Sequence, residues 1–166
     1  DRDRYHAGSL IIAPGAWVPD LLPGLEVAWE IVRKPLFWFP TSTDHYDRQQ
    51  GAGVFFLETP GGEFYGFPSL DGQTVKVAEH TAGQSIADPL TVDRDVLSID
   101  LPPLAEYLRS FMPGLSTSPS RHAVCLYTRT PDLPASFQPP SVVAARASGA
   151  ARGATRTPAP CTRAQP

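Results

Sequence analysis

The chain has few cysteines, no long apolar run and no excess of positive charge, and each of these absences excludes a class of protein. Two cysteines among 166 residues cannot form the disulfide framework of a small secreted module. No segment approaches the roughly 20 apolar residues of a membrane helix, and the polar start lacks the apolar stretch of a signal peptide. The net charge of −3 gives no basic stripe for nucleic acid. We therefore expect a cytoplasmic protein that binds neither nucleic acid nor membranes.

The composition changes abruptly after Asp132. Residues 1–132 contain 10 Lys and Arg against 17 Asp and Glu, whereas residues 133–166 contain four Arg and no acidic residue. Fifteen of these last 34 positions are Ala or Pro, and one is aromatic. Such a segment has too little apolar area to offset the entropy of ordering it. We predict one folded unit followed by a disordered tail over 133–166.

The first 40 residues predict a strand, a short helix and a second strand. Ser9–Ala13 is an apolar run that ends at a Pro-Gly turn, which predicts a buried strand. A short helix is predicted over Trp17–Leu22. Leu25–Phe39 is rich in Val, Ile, Trp and Phe and partly alternating, so we predict a strand there, broken near Pro35.

The rest of the body predicts a β-meander, a helix and a final strand, and the fold class is α+β around an antiparallel or mixed sheet. Asp100, followed by two prolines, is a helix-start signal, and the helix should run to Phe111 with Leu104, Tyr107, Leu108 and Phe111 facing the core. The predicted strands are Val54–Glu58, Glu63–Phe67, Thr74–Glu79 and Ala123–Thr128.

A polar sheet face follows if Asp71-Gly72 forms a two-residue hairpin turn. Phe67 then faces Lys76, Tyr65 faces Ala78, and Lys76 and His80 share a face about 13 Å apart with Tyr65 between them. The alternative is the solvent-facing side of an ordinary meander. Only Lys34 and Lys76 are lysines in a chain that otherwise uses arginine, which indicates either a site that needs a compact charge or a coding bias.

Two other groups of residues invite a chemical interpretation. Cys125 and Tyr127 share one face of the last strand, although a lone cysteine in a strand is usually a small buried hydrophobe. Asp44, His45 and Asp47 are potential ligands without a second cluster at recognisable spacing, so we predict no metal site. The sequence contains no glycine pattern of the dinucleotide-binding type.

Six stretches, taken in order, carry a resemblance to a known family: Ile11–Trp17, Phe64–Ser69, Val75–His80, Asp88-Pro89, Met112–Gly114 and Cys125–Thr128. They resemble the monomeric sarcosine oxidase and N-methyl-L-tryptophan oxidase family of flavin-dependent amine oxidases. The first stretch is similar to the family's strand and turn returning to the flavin domain, and the second is similar to its substrate-domain motif. The resemblance covers about residues 3–132.

The resemblance implies FAD-dependent oxidation of a secondary (N-methyl) amino acid by a monomer, with dioxygen as acceptor and hydrogen peroxide as product. It implies that FAD is attached covalently through the thiolate of Cys125, the nucleophilic form of the residue. Lys76 would lie by the reactive edge of the flavin and favour electron transfer to dioxygen. Tyr65, His80 and Tyr127 would line the substrate pocket. Gly15 and Trp17, in the returning turn, would contribute to cofactor binding.

The same resemblance implies four segments: part of an FAD-binding domain at 1–24, a substrate domain at 25–116, a strand with the flavin-linking cysteine at 117–132, and a divergent tail at 133–166. The family's glycine-rich turn and its Gly-His-Gly-Phe-Lys segment have no counterpart in this sequence. We therefore expect the chain alone to lack appreciable oxidase activity. The alternatives are an inactive truncated or frameshifted remnant, and a small-ligand or protein-binding module built on the exposed sheet face.

Overall fold

Residues 5–131, which the computed structural model describes, form one antiparallel sheet with a helix packed on one face. The strands are β1 (Glu30–Pro40), β2 (Phe55–Thr59), β3 (Gly62–Phe67), β4 (Thr74–Glu79), β5 (Gln84–Ser85) and β6 (Arg121–Arg129). The helices are α1 (Val18–Leu21) and α2 (Pro102–Phe111), with 3₁₀ turns at Gly15–Trp17 and Arg48–Gln50. The strand order is β2-β3-β4-β1; β5 pairs with the same edge of β1 as β4 does, and β6 pairs with the other edge. The α+β class is confirmed.

The central strand β1 is continuous, so the predicted break near Pro35 is wrong. Its even-numbered backbone groups face β6, since the Ser120 amide donates to the Trp38 carbonyl; odd-numbered groups face the opposite edge, where the Ile86 amide donates to the Ile31 carbonyl. Pro35 is odd-numbered and falls between the residues paired with β5 (Val32, Arg33) and those paired with β4 (Phe37–Pro40). Its missing N–H therefore removes no ladder bond.

The predicted meander is confirmed in its strands and in its register. Phe67 pairs with Lys76 and Tyr65 with Ala78. The connection itself is longer than a two-residue hairpin, because pairing stops at Phe67 and the Asp71 carboxylate organises the turn instead. It accepts hydrogen bonds from the amides of Gln73 and Thr74 and from the Ser69 and Thr74 hydroxyls. These bonds lower the pKa of Asp71 to about 2, although burial acts in the opposite direction.

The core lies between α2 and the odd-numbered side of β1. Phe64 stacks on Tyr107 with ring centroids 4.1 Å apart, and Phe37 and Phe39 are fully buried beside them. Leu104, Tyr107 and Leu108 face the core as predicted, whereas Phe111 is 52% exposed at the helix end.

The helix α2 begins at the two prolines and ends at Phe111 as predicted, but Asp100 does not cap it. The N-cap residue is Leu101, and no side chain caps the helix. The Asp100 carboxylate instead accepts two hydrogen bonds from the buried Arg33 guanidinium, at 2.8 and 3.0 Å, and one from the Leu97 amide. The pull of a buried arginine on the carboxylate outweighs the gain from helix capping.

The predicted buried strand at Ser9–Ala13 is wrong. Only Ile12 forms a β-bridge, and Leu10 and Ile11 are 61% and 82% exposed. An apolar run indicates a tendency to be buried but does not supply the partner that buries it. The predicted short helix after it is confirmed as the 3₁₀ turn and α1. The tail predicted over 133–166 lies outside the described residues, and neither helix between residues 5 and 131 has the length and hydrophobicity to span a membrane.

Candidate functional site

The sheet face opposite α2 presents two rows of side chains that run across neighbouring strands. In the first, the Lys76 row, Phe67, Lys76, Trp38 and Arg121 are successive cross-strand partners. The second, the Lys34 row, lies four residues along each strand, about 13 Å away. It is made of Glu63, His80, Lys34 and Cys125; Lys34 pairs with Cys125, and the His80 amide donates to the Glu63 carbonyl. Long-range pairing thus brings β1, β3, β4 and β6 together at this face.

The Lys76 row consists of two cations and two aromatic rings. The Lys76 ammonium lies 4.9 Å from the centroid of the Phe67 ring and 5.4 Å from that of Trp38. The Arg121 guanidinium lies 3.9 Å from the Trp38 ring centroid. Cations over aromatic faces are attracted by the ring quadrupole, so the half-buried Lys76 is held in a defined position on the sheet.

Around His80, three aromatic rings gather into what we call the His80 cluster: Phe56, Tyr65, Tyr127 and His80. The His80 ring contacts the other three edge-on, with centroid distances of 5.3 Å to Phe56, 6.0 Å to Tyr65 and 5.6 Å to Tyr127. The Tyr127 hydroxyl donates to the Tyr65 hydroxyl at 3.3 Å. Tyr65, His80 and Tyr127, predicted from separate parts of the sequence, are therefore brought together.

Both titratable groups at the centre of the cluster are shifted toward their neutral forms. Burial raises the pKa of Tyr65, and the hydrogen bond with Tyr127 adds to the shift. Burial also lowers the pKa of His80, helped by the nearby charge of Lys34 and opposed by Glu63 and Glu79. The cluster is consequently an uncharged, aromatic surface at neutral pH.

Lys34 is the most deeply buried cation of this face. It is 2% exposed, and its ammonium donates to the His80 carbonyl at 2.5 Å. It also lies 3.7 Å from a carboxylate oxygen of Glu79 and 5.4 Å from the centroid of the Tyr127 ring. Burial lowers the pKa of Lys34 to about 8, although the Glu79 carboxylate acts to raise it.

The predicted cofactor residues lie on β6 or in the turn that packs against it. Cys125 is half-buried and directly opposite Lys34 in the β1–β6 register. Gly15 begins the 3₁₀ turn with a φ of 57°, and this turn packs against β6 with Trp17 half-buried. Lys76 remains separate from the His80 cluster, in its own row. The seven predicted residues thus fall into three groups: the His80 cluster, Lys76, and the residues on or against β6.

Sequence reasoning did not select Lys34, Phe56 or Glu63 for this site. Glu63 is 5% exposed, and its Oε2 has no hydrogen-bond partner among the described residues. A signal for Lys34 existed, since it is one of two lysines in the chain, but its burial depends on pairing with strands 40 and 90 residues away. Glu63 and Phe56 gave no signal, because alternation assigns a face but not the groups that cover it.

Comparison with known proteins gives relatives that cover most of this chain. Residues of this chain are 35% identical over 132 positions to the monomeric sarcosine oxidase of Arthrobacter sp. (strain TE1826), which covers 77% of this chain and 34% of that enzyme. They are 36% identical over 134 positions to the Streptomyces avermitilis monomeric sarcosine oxidase, an alignment that covers 78% of this chain and 35% of that enzyme. An Escherichia coli O1:K1 N-methyl-L-tryptophan oxidase is 34% identical over 132 positions, an alignment that covers 78% of this chain and 34% of that enzyme. The chain is therefore homologous to part of these oxidases.

A solved structure supports the fold. The open form of NikD, described as an unusual amino acid oxidase essential for nikkomycin biosynthesis, aligns with a TM-score of 0.56 and 22% identity over 77% of this chain and 34% of NikD. No family model matches the sequence. The chain spans about one third of the length of the curated relatives that it matches.

Proposed function

We propose that this chain is part of an FAD-dependent oxidase of secondary amino acids such as sarcosine or N-methyl-L-tryptophan, and that the face described above borders the flavin and the substrate. The observation that carries the proposal is the 34–36% identity to enzymes with these names, which extends over about 78% of the chain. The His80 cluster and the two lysine rows lie on the strands of the sheet, and the likeness in fold to NikD extends over 77% of this chain.

The residues of the face fit a flavin. Cys125 places a thiol on β6 beside the buried positive charge of Lys34, and a neighbouring cation favours the thiolate needed for a covalent bond. Lys76, on β4, places a half-buried ammonium on the same face, two strands away from Cys125 on β6. When bound, FAD supplies the acceptor that takes two electrons from the amine and passes them to dioxygen. Lys76 would then stabilise negative charge that develops on the oxygen.

The His80 cluster suits the amine end of a small substrate. Phe56, Tyr65 and Tyr127 offer apolar rings that pack against methyl groups, and the face of an aromatic ring attracts a cationic nitrogen. A protonated secondary amine must lose a proton before its nitrogen lone pair is available. A ring nitrogen of neutral His80 is a suitable acceptor for that proton, and burial and Lys34 both favour the neutral form. Oxidation to the imine, hydrolysis of the imine and reduction of dioxygen to hydrogen peroxide complete the proposed reaction.

The proposal is tested by placing the segment in a complete enzyme. Residues 5–131 would replace the matching third of the monomeric sarcosine oxidase of Bacillus sp. (strain B-0618), a relative with 36% identity. We expect flavin that stays with the protein after acid precipitation, and peroxide formation from sarcosine or N-methyl-L-tryptophan.

The Cys125→Ser variant of this chimera is the matched control for the covalent bond, and its flavin should be released by acid while the fold is unchanged. A folded chimera that forms no peroxide with either amine would contradict the proposed activity. Acid-stable flavin in the Cys125→Ser variant would contradict the proposed attachment site alone.

A further inference from the structure

The segment that follows β4 is held against the sheet by two buried or half-buried cations from different strands. Lys34, on β1, donates to the His80 carbonyl, and Arg129, on β6, donates to the Thr81 carbonyl, both at 2.5 Å. The Glu79 carboxylate accepts hydrogen bonds from the Ala82 amide and the Thr81 hydroxyl. Three strands therefore fix the backbone of His80 and its two successors.

The same segment seals Lys34 from solvent. Gly83 has a φ of +146° and lies so close to β1 that an added Cβ would meet the Val32 side chain, the Arg33 carbonyl and the Lys34 side chain. A residue with a side chain would hold the segment away from β1, so the glycine permits the close approach. Lys34 is left 2% exposed, with its charge directed at the His80 backbone and the Tyr127 ring.

Burying a lysine is costly, and the fold offers simpler ways to fill the position. An ammonium removed from water loses several kcal/mol of hydration, which a single carboxylate at 3.7 Å and one carbonyl only partly replace. An apolar residue would pack here at no such cost. A charged group retained at this cost next to an imidazole indicates a role in setting the state of that imidazole.

We propose that Lys34 is a positioning residue of the site: it fixes the backbone of His80 through the carbonyl, so that the imidazole is held among Tyr65, Tyr127 and Phe56, and it supplies a buried positive charge that opposes protonation of the imidazole. That the imidazole faces a substrate rests on the proposed function. The action of Lys34 on His80 does not, and it can be measured without flavin or amine.

The groups that face His80 come from every neighbouring strand and set the sign of the effect. Lys34 on β1 and Arg129 on β6 disfavour the imidazolium, whereas Glu63 on β3 and Glu79 on β4 favour it. Tyr65 and Tyr127 add neutral hydroxyls, and Phe56 on β2 adds an apolar ring. Burial is the largest cause of the lowered pKa of His80, and removing the Lys34 charge leaves burial and Arg129 to oppose the two carboxylates, so we expect this pKa to rise.

The test is an NMR titration of the histidine ring resonances in this chain, with His80 identified among the four histidines by the His80→Asn variant. In Lys34→Met we expect the pKa of His80 to move upward. In Lys34→Arg, which keeps the charge, it should stay low. Lys76→Met is the matched control, because Lys76 lies on the same face but in the other row, and it should leave the His80 titration unchanged.

A measurement on the unmodified chain keeps the proposal testable if Lys34→Met does not fold. The His80 resonances should show a second, smaller step near pH 8, where Lys34 loses its proton. Lys34→Arg should abolish this step, since arginine stays protonated in that range. An unmoved His80 titration in folded Lys34→Met, or the same second step in Lys34→Arg, would overturn the proposal. If the folded chimera has no oxidase activity but the pKa of His80 still rises in Lys34→Met, the proposed function is wrong and the proposed role of Lys34 is supported.

Discussion

Replacing Asp100 by asparagine should destabilise the chain far more than its distance from the proposed site suggests. Arg33 is 2% exposed, and the Asp100 side chain is 5% exposed. The guanidinium donates to both carboxylate oxygens and to the backbone carbonyls of Asp93 and Asp95, so this arginine ties the loop over 93–100 to β1. The two oxygens of Asp100 provide the negative charge in this arrangement.

The magnitude follows from leaving a buried cation without its counter-charge. The Asp100→Asn substitution keeps the size of the side chain and one acceptor oxygen, but it replaces the second acceptor with an N–H₂ group that faces Arg33. Removing one partner of a buried ion pair typically costs about 3–5 kcal/mol, and we expect a loss in this range in the free energy of unfolding. The Leu97 amide can keep its bond to the remaining oxygen, which places the loss toward the lower end.

The assay is urea unfolding at neutral pH, followed by the fluorescence of the three tryptophans. Glu30→Gln is the matched control: it removes the same charge from the Glu30–Arg129 pair, whose atoms are 3.8 Å apart and whose Glu30 side chain is 49% exposed. We expect that control to cost less than about 1 kcal/mol. If Asp100→Asn costs no more than Glu30→Gln, the Arg33 network does not stabilise the loop.

Three further predictions concern the sheet. Because the pKa of Lys34 is lowered, the unfolded chain binds more protons than the folded chain between about pH 8 and 10.5. The free energy of unfolding of the wild type should therefore rise over this range by about 3 kcal/mol relative to that of Lys34→Met. Parallel pH profiles of the two proteins would contradict the burial of a charged Lys34. Gly66→Ala should destabilise the chain by about 1–3 kcal/mol, because the new methyl group would overlap the Lys76 carbonyl and the Phe55 ring, whereas Gly53→Ala, with open space around it, should change urea unfolding little. In the chimera, Lys76→Met should slow the reaction with dioxygen on the order of a hundredfold and the reaction with amine much less. Stopped-flow measurement of the two half-reactions would show the difference. Equal slowing of both would mean that Lys76 supports the fold and does not act on dioxygen.

The sequence predicts the parts of the fold that depend on residues close together in the chain, such as the β-meander. The meander register follows from alternation and from the Asp71-Gly72 turn, and it places Tyr65 opposite Ala78 as predicted. The predicted strand break at Pro35 and the predicted helix cap at Asp100 are wrong because both depend on distant parts of the chain. Pro35 falls in the gap between the residues paired with β5 and those paired with β4, and Asp100 binds the buried guanidinium of Arg33. Local propensity carries no information about either partner.

The same limit applies to the candidate site. Tyr65 and His80 could be placed on one face from the sequence, since both lie on one hairpin. Tyr127 joins them only because β6 pairs with β1 and β1 with β4, over sequence separations that periodicity does not address. Lys34 enters the site through this pairing and through the close approach of Gly83, so its burial could not be anticipated from its neighbours in the chain.

The two lysines of the face differ in how their charge is balanced, and this difference separates their proposed roles. Lys34 is buried against Glu79 and a carbonyl, which only partly balance its charge, and the remaining charge acts over a short range on His80. Within residues 5–131, no carboxylate lies within ion-pair distance of Lys76, whose ammonium rests on the Trp38 and Phe67 rings. An aromatic face attracts a cation but does not cancel its charge. Lys76 can therefore stabilise negative charge on an external group, whereas Lys34 is suited to set the state of a neighbouring side chain.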